Sequence, residues 1–277
     1  MQGHLVQDVV QSVLKQEEWH PLVSSLRTCA NSVQHANMAD CIERTEARAS
    51  LMYVVEVCAN VIRPQCEERF LIYRYTDVPV AWRALHTDAI LISSATTVLL
   101  TQCESACTRR FLEARVRDLD LALIMSGTPG HEREGWVHSL ITELQQHLLI
   151  PGIQRHGKSR KYNTVVDSVR KPMSDAAAKQ RIHECGRLPS RSEFLSFCPS
   201  GKSTSYPYGH PFIVRGFAKD WPAMTRWRDG EDLCRRAGPG RVVPVERGNK
   251  YTDSDWGQLI VPWREFLRRI GWMDDCG

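Results

Sequence analysis

The first half of the chain repeats its hydrophobic residues at helical spacing. The repeats run through Val6, Val9, Val10, Val13 and Leu14, through Leu112, Val116, Leu119 and Leu123, and through Val137, Leu140, Ile141, Leu144 and Leu148. This spacing is typical of helices with one buried face, and strand patterns are scarce in the same region. Residues 1–150 are therefore predicted to form an α-helical domain of antiparallel helices, a bundle or a repeat-like array.

Two segments of this half carry more specific expectations. The stretch from Pro79 to Leu100 is apolar nearly all round, which predicts a helix at the centre of the bundle. The stretch from Met38 to Ile62 is also helical in pattern, and we expect it to end before Pro64 because proline disfavours a helix interior.

The composition changes after Pro151. Residues 151–190 are rich in lysine and arginine and lack apolar periodicity, so they are predicted to be a basic linker, and residues 188–208 resemble a loop. The run HGKSRKY at 156–162 fits a nuclear import signal, and a solvated linker explains it equally well. The chain is accordingly expected in the nucleus or the cytoplasm.

The last third mixes strand and helix patterns. Strands are predicted at 212–214 and 241–246, helices at 233–237 and 263–270, and a polar loop at 251–256. Five of the eight tryptophans follow residue 220, which indicates a denser aromatic core there. The predicted fold class is α+β, with three segments at 1–150, 151–190 and 191–277.

Bulk composition narrows the classes of function only modestly. A net charge of +4 does not by itself indicate nucleic-acid binding. No apolar run approaches the ~18 residues of a membrane span. The N-terminus has no secretory signal pattern, so the ten cysteines are expected to be reduced. Cys103 and Cys107 lack a second pair of zinc ligands nearby.

Three motifs near the end carry a resemblance to a known family. They are PFIVRG at 211–216, VPVE at 243–246 and YTDSDW at 251–256, followed by the helical WREFL. In this order they resemble the opening of a JmjC-type cupin domain of the lysine demethylase 8 (arginyl hydroxylase) type. The resemblance implies that residues 191–277 form the start of a cupin jelly roll, and that a histone or another basic peptide is the protein substrate.

The resemblance also implies Fe(II)- and 2-oxoglutarate-dependent dioxygenase chemistry. Family members hold the iron with an H-x-D motif and a later histidine, all downstream of the YTDSDW segment. The chain ends before such residues, so we expect it to be truncated and inactive, with no catalytic, metal or cofactor-binding residues of its own. The alternative is a non-enzymatic interaction module built on the helical domain.

His86-Thr87-Asp88 is literally an H-x-D sequence, but it lies in the predicted central helix. Residues two apart on a helix point about 200° away from each other, whereas on a strand they share a face. We therefore interpret His86 as a helix residue and Asp88 as an acid near a bundle edge.

By the same resemblance, Glu246, Tyr251 and Trp256 line a substrate groove. An acid and two aromatic rings suit a cationic side chain, through charge pairing and cation–π contact. The alternative interpretation is that the two rings simply pack the strands against the helix.

Overall fold

A computed structural model describes residues 2–17, 20–38, 41–101, 108–149, 182–197, 211–227, 229–248, 250–252, 254 and 256–273. The α-helices are α1 (Gln2–Leu14), α2 (Pro21–Met38), α3 (Cys41–Val57), α4 (Arg63–Ile72), α5 (Val80–Thr101), α6 (Arg109–Leu121), α7 (Arg133–Leu148), α8 (Arg191–Phe197), α9 (Pro222–Arg226), α10 (Gly230–Ala237) and α11 (Trp263–Arg269). The strands are β1 (His183–Cys185), β2 (Phe212–Val214), β3 (Val242–Arg247) and β4 (Gly257–Pro262).

The chain divides into two compact units that are not contiguous in sequence. The first comprises Met1–His156 and Cys234–Ile270, and the second Gly157–Leu233 and Gly271–Gly277. The helices α1 to α7 thus share a unit with the hairpin of β3 and β4. The segment boundaries at 150 and 190 that the sequence predicts stay a prediction, and most of the predicted basic linker lies outside the described residues.

Helix α5 forms the centre of the first unit, as its all-round apolar pattern predicted. Every residue from Leu85 to Leu100 is buried. Its threonines satisfy their hydroxyls within the helix: Thr96 donates to the carbonyl of Ile92 at 2.6 Å and Thr97 to that of Ser93 at 2.9 Å. By length and composition α5 is the one helix among the described residues that could cross a membrane, but 83% of that stretch is buried inside the protein, as in the core helix of a bundle.

The expectation that a helix ends before Pro64 is wrong. The helix continues past this proline, because a π-helical turn at Cys58–Ile62 precedes it and α4 begins at Arg63. Pro64 then occupies the first turn of α4, where its missing N–H group costs little. A second π-helical turn, Ala122–Ser126, extends α6 and ends at Gly127, which adopts a φ of 67°.

The second unit contains a short parallel pair of strands. Strand β1 pairs with β2 in the register His183↔Phe212 to Cys185↔Val214. Strand β2 confirms the predicted extended segment, whereas α8 lies in a stretch that the sequence predicted as loop. Glu193 caps the N-terminus of α8: its carboxylate accepts a hydrogen bond from the backbone N–H of Ser190 at 2.7 Å.

The observed elements agree with a helix-rich α+β chain. In the described residues the strands form two separate two-stranded sheets, β1–β2 and β3–β4. The expectation that residues 191–277 open a cupin jelly roll stays a prediction.

Candidate functional site

The antiparallel hairpin of β3 and β4 carries the predicted substrate-groove residues. Its register runs from Val242↔Pro262 to Arg247↔Gly257. Gly248 follows β3 with a φ of 116°, and a Cβ added there would lie 3.0 Å from the Cα of Trp256. Glycine is suited to this position, because the backbone after β3 passes close to Trp256, the residue that precedes β4.

Glu246, Tyr251 and Trp256 come together at the loop end of this hairpin, where β3 connects to β4. The rings of Tyr251 and Trp256 have centroids 5.3 Å apart with an interplanar angle of 53°. The hydroxyl of Tyr251 donates a hydrogen bond to the carboxylate of Glu246, and this bond, with the nearby negative charge, raises the pKa of Tyr251. We call these three residues the hairpin cluster.

The hairpin cluster lies at the surface. Tyr251 is 74% exposed, Glu246 is exposed and Trp256 is half-buried. The expected alternative, in which both rings pack the strands against the helix, does not describe Tyr251. A carboxylate beside two accessible aromatic rings can hold a cationic group by ion pairing and by contact with the ring faces.

A buried acid on α6 fixes the hairpin to the helices. Asp120 is 2% exposed, and its carboxylate accepts from Arg241 Nε at 2.9 Å and from the backbone N–H of Val242 at 2.8 Å. The second guanidinium nitrogen of Arg241 lies 2.8 Å from the same carboxylate. Because the carboxylate accepts from both a guanidinium and the first N–H of β3, it sets where the hairpin begins.

The turn before β3 is held by α7 and α6. The amide of Gln145 on α7 donates to the carbonyls of Ala237 and Pro239, at 3.1 and 2.9 Å. Gly240, with a φ of 80°, lies so close to α6 that an added Cβ would be 2.9 Å from the side chain of Val116. The helices thus contact this turn closely enough to require glycine.

His86 and Asp88, the histidine and the acid of the H-x-D sequence on α5, do not contribute to one site. His86 lies 3.1 Å from Ser126 through Nδ1 and 3.5 Å from Glu67 through Nε2. Asp88 accepts two hydrogen bonds from Arg133, at 2.7 and 3.0 Å, and contacts Gln16. The two side chains therefore serve different partners, as the helical geometry predicted.

Their location differs from the expected bundle edge. His86 and Asp88 are both 0% exposed, because α5 is surrounded by the other helices. Burial raises the pKa of Asp88 and outweighs the opposing effect of the Arg133 guanidinium.

The residues described by the structure do not fit the iron that the resemblance implies. Such a site needs two histidines and a carboxylate on one face of the metal. No group of three or more His, Cys, Asp or Glu side chains in the described part of the chain is arranged to hold a metal ion. We therefore derive no chemical step through iron.

The sequence analysis missed the residues that hold the hairpin, which are Asp120, Gln145, Gly240 and Arg241. One signal was available: Asp120 is an acid between Leu119 and Leu121 on the apolar part of α6. A charge at a buried position requires a partner, although the pattern does not say which one.

The known proteins that match this chain in sequence are named lysine-specific demethylases or a Jumonji C domain-containing protein. No protein-family model and no solved structure matches the chain. Lysine-specific demethylase 8 of Danio rerio is 25% identical over 218 residues, which cover 76% of this chain and 48% of that protein. Jumonji C domain-containing protein 5 of Drosophila melanogaster is 35% identical over 81 residues, 29% of this chain and 18% of that protein.

A plant protein shows the same relationship over a shorter stretch. Lysine-specific demethylase JMJ30 of Arabidopsis thaliana is 40% identical over 65 residues, 24% of this chain and 15% of that protein. The chain thus spans about half the length of the Danio rerio protein and less of the other two. These relatives confirm the resemblance that the terminal motifs predicted: the chain is similar in sequence to lysine-specific demethylases and to a Jumonji C domain-containing protein.

Proposed function

We propose that this chain recognises a cationic side chain of a protein substrate as part of a JmjC-type protein-modifying activity. The hairpin cluster of Glu246, Tyr251 and Trp256 provides the recognition surface, and helices α6 and α7 hold the hairpin that carries it. The substrate is a lysine or arginine side chain of a histone or another basic protein.

The observation that carries this proposal is the convergence of the hairpin cluster. Its members come from the end of β3, the following loop and the residue before β4, and the Tyr251 and Trp256 rings lie 5.3 Å apart beside the Glu246 carboxylate. A negative charge next to accessible aromatic faces favours a guanidinium or ammonium group over a neutral side chain. Two of the relatives are called lysine-specific demethylases, and lysine carries such a group.

The parent activity in this proposal is Fe(II)- and 2-oxoglutarate-dependent hydroxylation or demethylation. The H-x-D pair of this chain is occupied by core contacts, with Asp88 bound to Arg133 and His86 beside Ser126. We propose that the chain alone does not turn over 2-oxoglutarate and that it acts in the nucleus or the cytoplasm.

Binding of a short peptide with one arginine tests the recognition surface. The tryptophan fluorescence of the chain should respond saturably to this peptide and much less to the same peptide with citrulline, which lacks the charge, and Trp256→Phe should remove the response. Glu246→Gln should weaken binding about tenfold, because it removes the anionic partner. The matched control is Glu265→Gln on α11, whose carboxylate pairs with Arg268 and Arg269 instead. Equal binding of both peptides would contradict the proposal.

Turnover is tested separately by aerobic conversion of 2-oxoglutarate to succinate with added Fe(II). The expected rate with the purified chain equals that of a no-protein control. Reproducible iron-dependent succinate formation would overturn the claim that the chain alone is inactive, and would leave the binding experiment unaffected.

A second candidate function is a non-enzymatic interaction module built on the helical unit. One observation favours it: four large apolar residues, Leu71, Ile72, Tyr75 and Val80, are more than half exposed where α4 connects to α5. Such a cluster is characteristic of an interaction surface.

A further inference from the structure

The connection between α4 and α5 exposes a cluster of large apolar side chains. We call residues 71–80 the Tyr75 loop. The exposed fractions are 88% for Leu71, 65% for Ile72, 40% for Tyr73, 62% for Tyr75 and 67% for Val80. Single exposed apolar residues are ordinary, whereas five large ones within ten residues of sequence are typical of an interaction surface.

The Tyr75 loop makes contacts within its own unit. Val78, in the middle of the loop, is only 6% exposed. The guanidinium of Arg83 lies 4.4 Å from the ring centroid of Tyr75 and also donates to the carbonyl of that residue. The backbone N–H of Asp77 donates to the carbonyl of Arg74 at 2.9 Å, closing a turn. A surface ordered before binding loses less conformational entropy when a partner docks.

The charges on the loop indicate what kind of partner fits. Arg74 and Asp77 are both exposed, three residues apart, and neither forms an ion pair with any residue that the structure describes. A loop with one charge of each sign does not select a strongly acidic or strongly basic partner. It does complement itself, because a two-fold rotation brings Arg74 of one copy to Asp77 of another.

We propose that the Tyr75 loop is the contact of a two-fold homodimer of this chain. In that dimer the apolar side chains of Leu71, Ile72 and Tyr75 pack against the same residues of the second copy. Two symmetric pairs of Arg74 with Asp77 flank this centre. Tyrosine and arginine around an apolar centre are the residues that dominate the energy of such interfaces. This inference goes beyond the proposed recognition of a substrate and does not depend on it.

Charge reversal tests the pairing directly, using sedimentation velocity of the full chain at low ionic strength. The wild type should dimerise. Arg74→Asp and Asp77→Arg should each weaken the dimer by about tenfold or more, because each places like charges opposite one another. An equimolar mixture of the two variants should form heterodimers of wild-type strength, since every pair across the interface is then of opposite sign.

An apolar substitution tests the packing with a matched control. Leu71→Ser should weaken the dimer strongly, whereas Leu149→Ser, at a 65% exposed leucine outside the loop, should leave it unchanged. Both positions are exposed, so circular dichroism should show that both variants are folded. A wild-type chain that stays monomeric up to about 100 μM, above the dissociation constant of most specific dimers, overturns the proposal. So does a mixture of charge variants that fails to dimerise.

Discussion

Asp120 on α6 accepts hydrogen bonds from Arg241, the residue that precedes β3, across 121 positions of sequence. The same carboxylate accepts from the backbone N–H of Val242 at 2.8 Å. One buried acid thereby joins the α-helical part of the chain to the hairpin that carries the VPVE and YTDSDW motifs. The helices and the hairpin belong to one compact unit, and this carboxylate provides one of the contacts between them.

Replacing Asp120 by alanine should lower the free energy of unfolding of this unit by about 3 kcal/mol. The substitution leaves the Val242 N–H without an acceptor and the Arg241 guanidinium without its counter-charge. Denaturant unfolding followed by tryptophan fluorescence measures the change.

The control for this prediction lies on the same helix. Glu113 forms an exposed i,i+4 pair with Arg109, and Glu113→Ala should change the free energy of unfolding by less than about 1 kcal/mol. A double-mutant cycle with Arg241→Gln should then give a large coupling to Asp120 and none to Glu113. Equal losses of unfolding free energy for Asp120→Ala and Glu113→Ala would contradict the stabilising role assigned to the Asp120 contacts.

Two glycines should respond in opposite directions to alanine. At Gly240 an added Cβ would lie 2.9 Å from the Val116 Cβ and 3.2 Å from the backbone of Glu113, and the φ of 80° disfavours any side chain. We expect Gly240→Ala to cost about 2 kcal/mol or more. Gly135 lies inside α7 with nothing within 4 Å of an added Cβ, so Gly135→Ala should stabilise by roughly 0.5–1 kcal/mol. Thermal unfolding of both variants gives the signs, and a Gly240→Ala protein as stable as the wild type would refute the close contact.

Glu67 should give the chain a stability that depends on pH. Its pKa is lowered from 4.5, chiefly by the hydrogen bond with His86 and further by the charges of Arg63 and Arg117, against an opposing effect of burial. A lowered pKa in the folded state stabilises the protein above the ordinary value of 4.5, and this contribution is lost as pH falls through the lowered value. Glu67→Gln should therefore cost about 1 kcal/mol at pH 7 and nothing once the carboxyl is protonated in both states.

Glu68, the exposed acid next to Glu67, is the control for this prediction. Glu68→Gln should cost little stability at pH 7, because Glu68 faces solvent. Unfolding curves at pH 7 and at successively lower pH measure the difference between the two variants. A Glu67→Gln deficit that persists unchanged into acid would contradict the assigned cause.

His86 should matter for stability and not for metal content. His86→Ala removes the partner of Ser126 and Glu67 from a site that is fully buried, so we expect a loss of about 2 kcal/mol. Iron bound by the purified chain, measured by elemental analysis, should not change. His138→Ala on an exposed face of α7 should alter neither quantity. Loss of stoichiometric iron on replacing His86 would restore the H-x-D sequence as a ligand pair.

Local patterns were sufficient for most of the elements. The apolar stripes predicted α1, α6 and α7, and the all-round apolar run predicted the burial of α5, because periodicity reports directly which faces leave water. The passage of a helix through Pro64 could not be predicted, since it depends on a π-helical turn with no simple sequence signature.

The candidate site, like the fold, could be predicted from the sequence only in part. Motif resemblance brought together Glu246, Tyr251 and Trp256, which lie within eleven residues of one another in sequence. The attachment of their hairpin could not be predicted, because Asp120 and Arg241 meet only after the helices pack. An acid within an apolar stripe indicates from the sequence that it has a partner, whereas only the folded structure identifies that partner.

Hydrogen exchange of the backbone amides, followed by mass spectrometry on the full chain, tests most directly whether the helices hold the hairpin. In the wild type, the amides of β3 and β4 should be protected. In Asp120→Ala their exchange should accelerate toward that of exposed amides, while the amides of Leu85–Leu100 in α5 stay protected. Hairpin amides that exchange equally in both proteins would contradict the account.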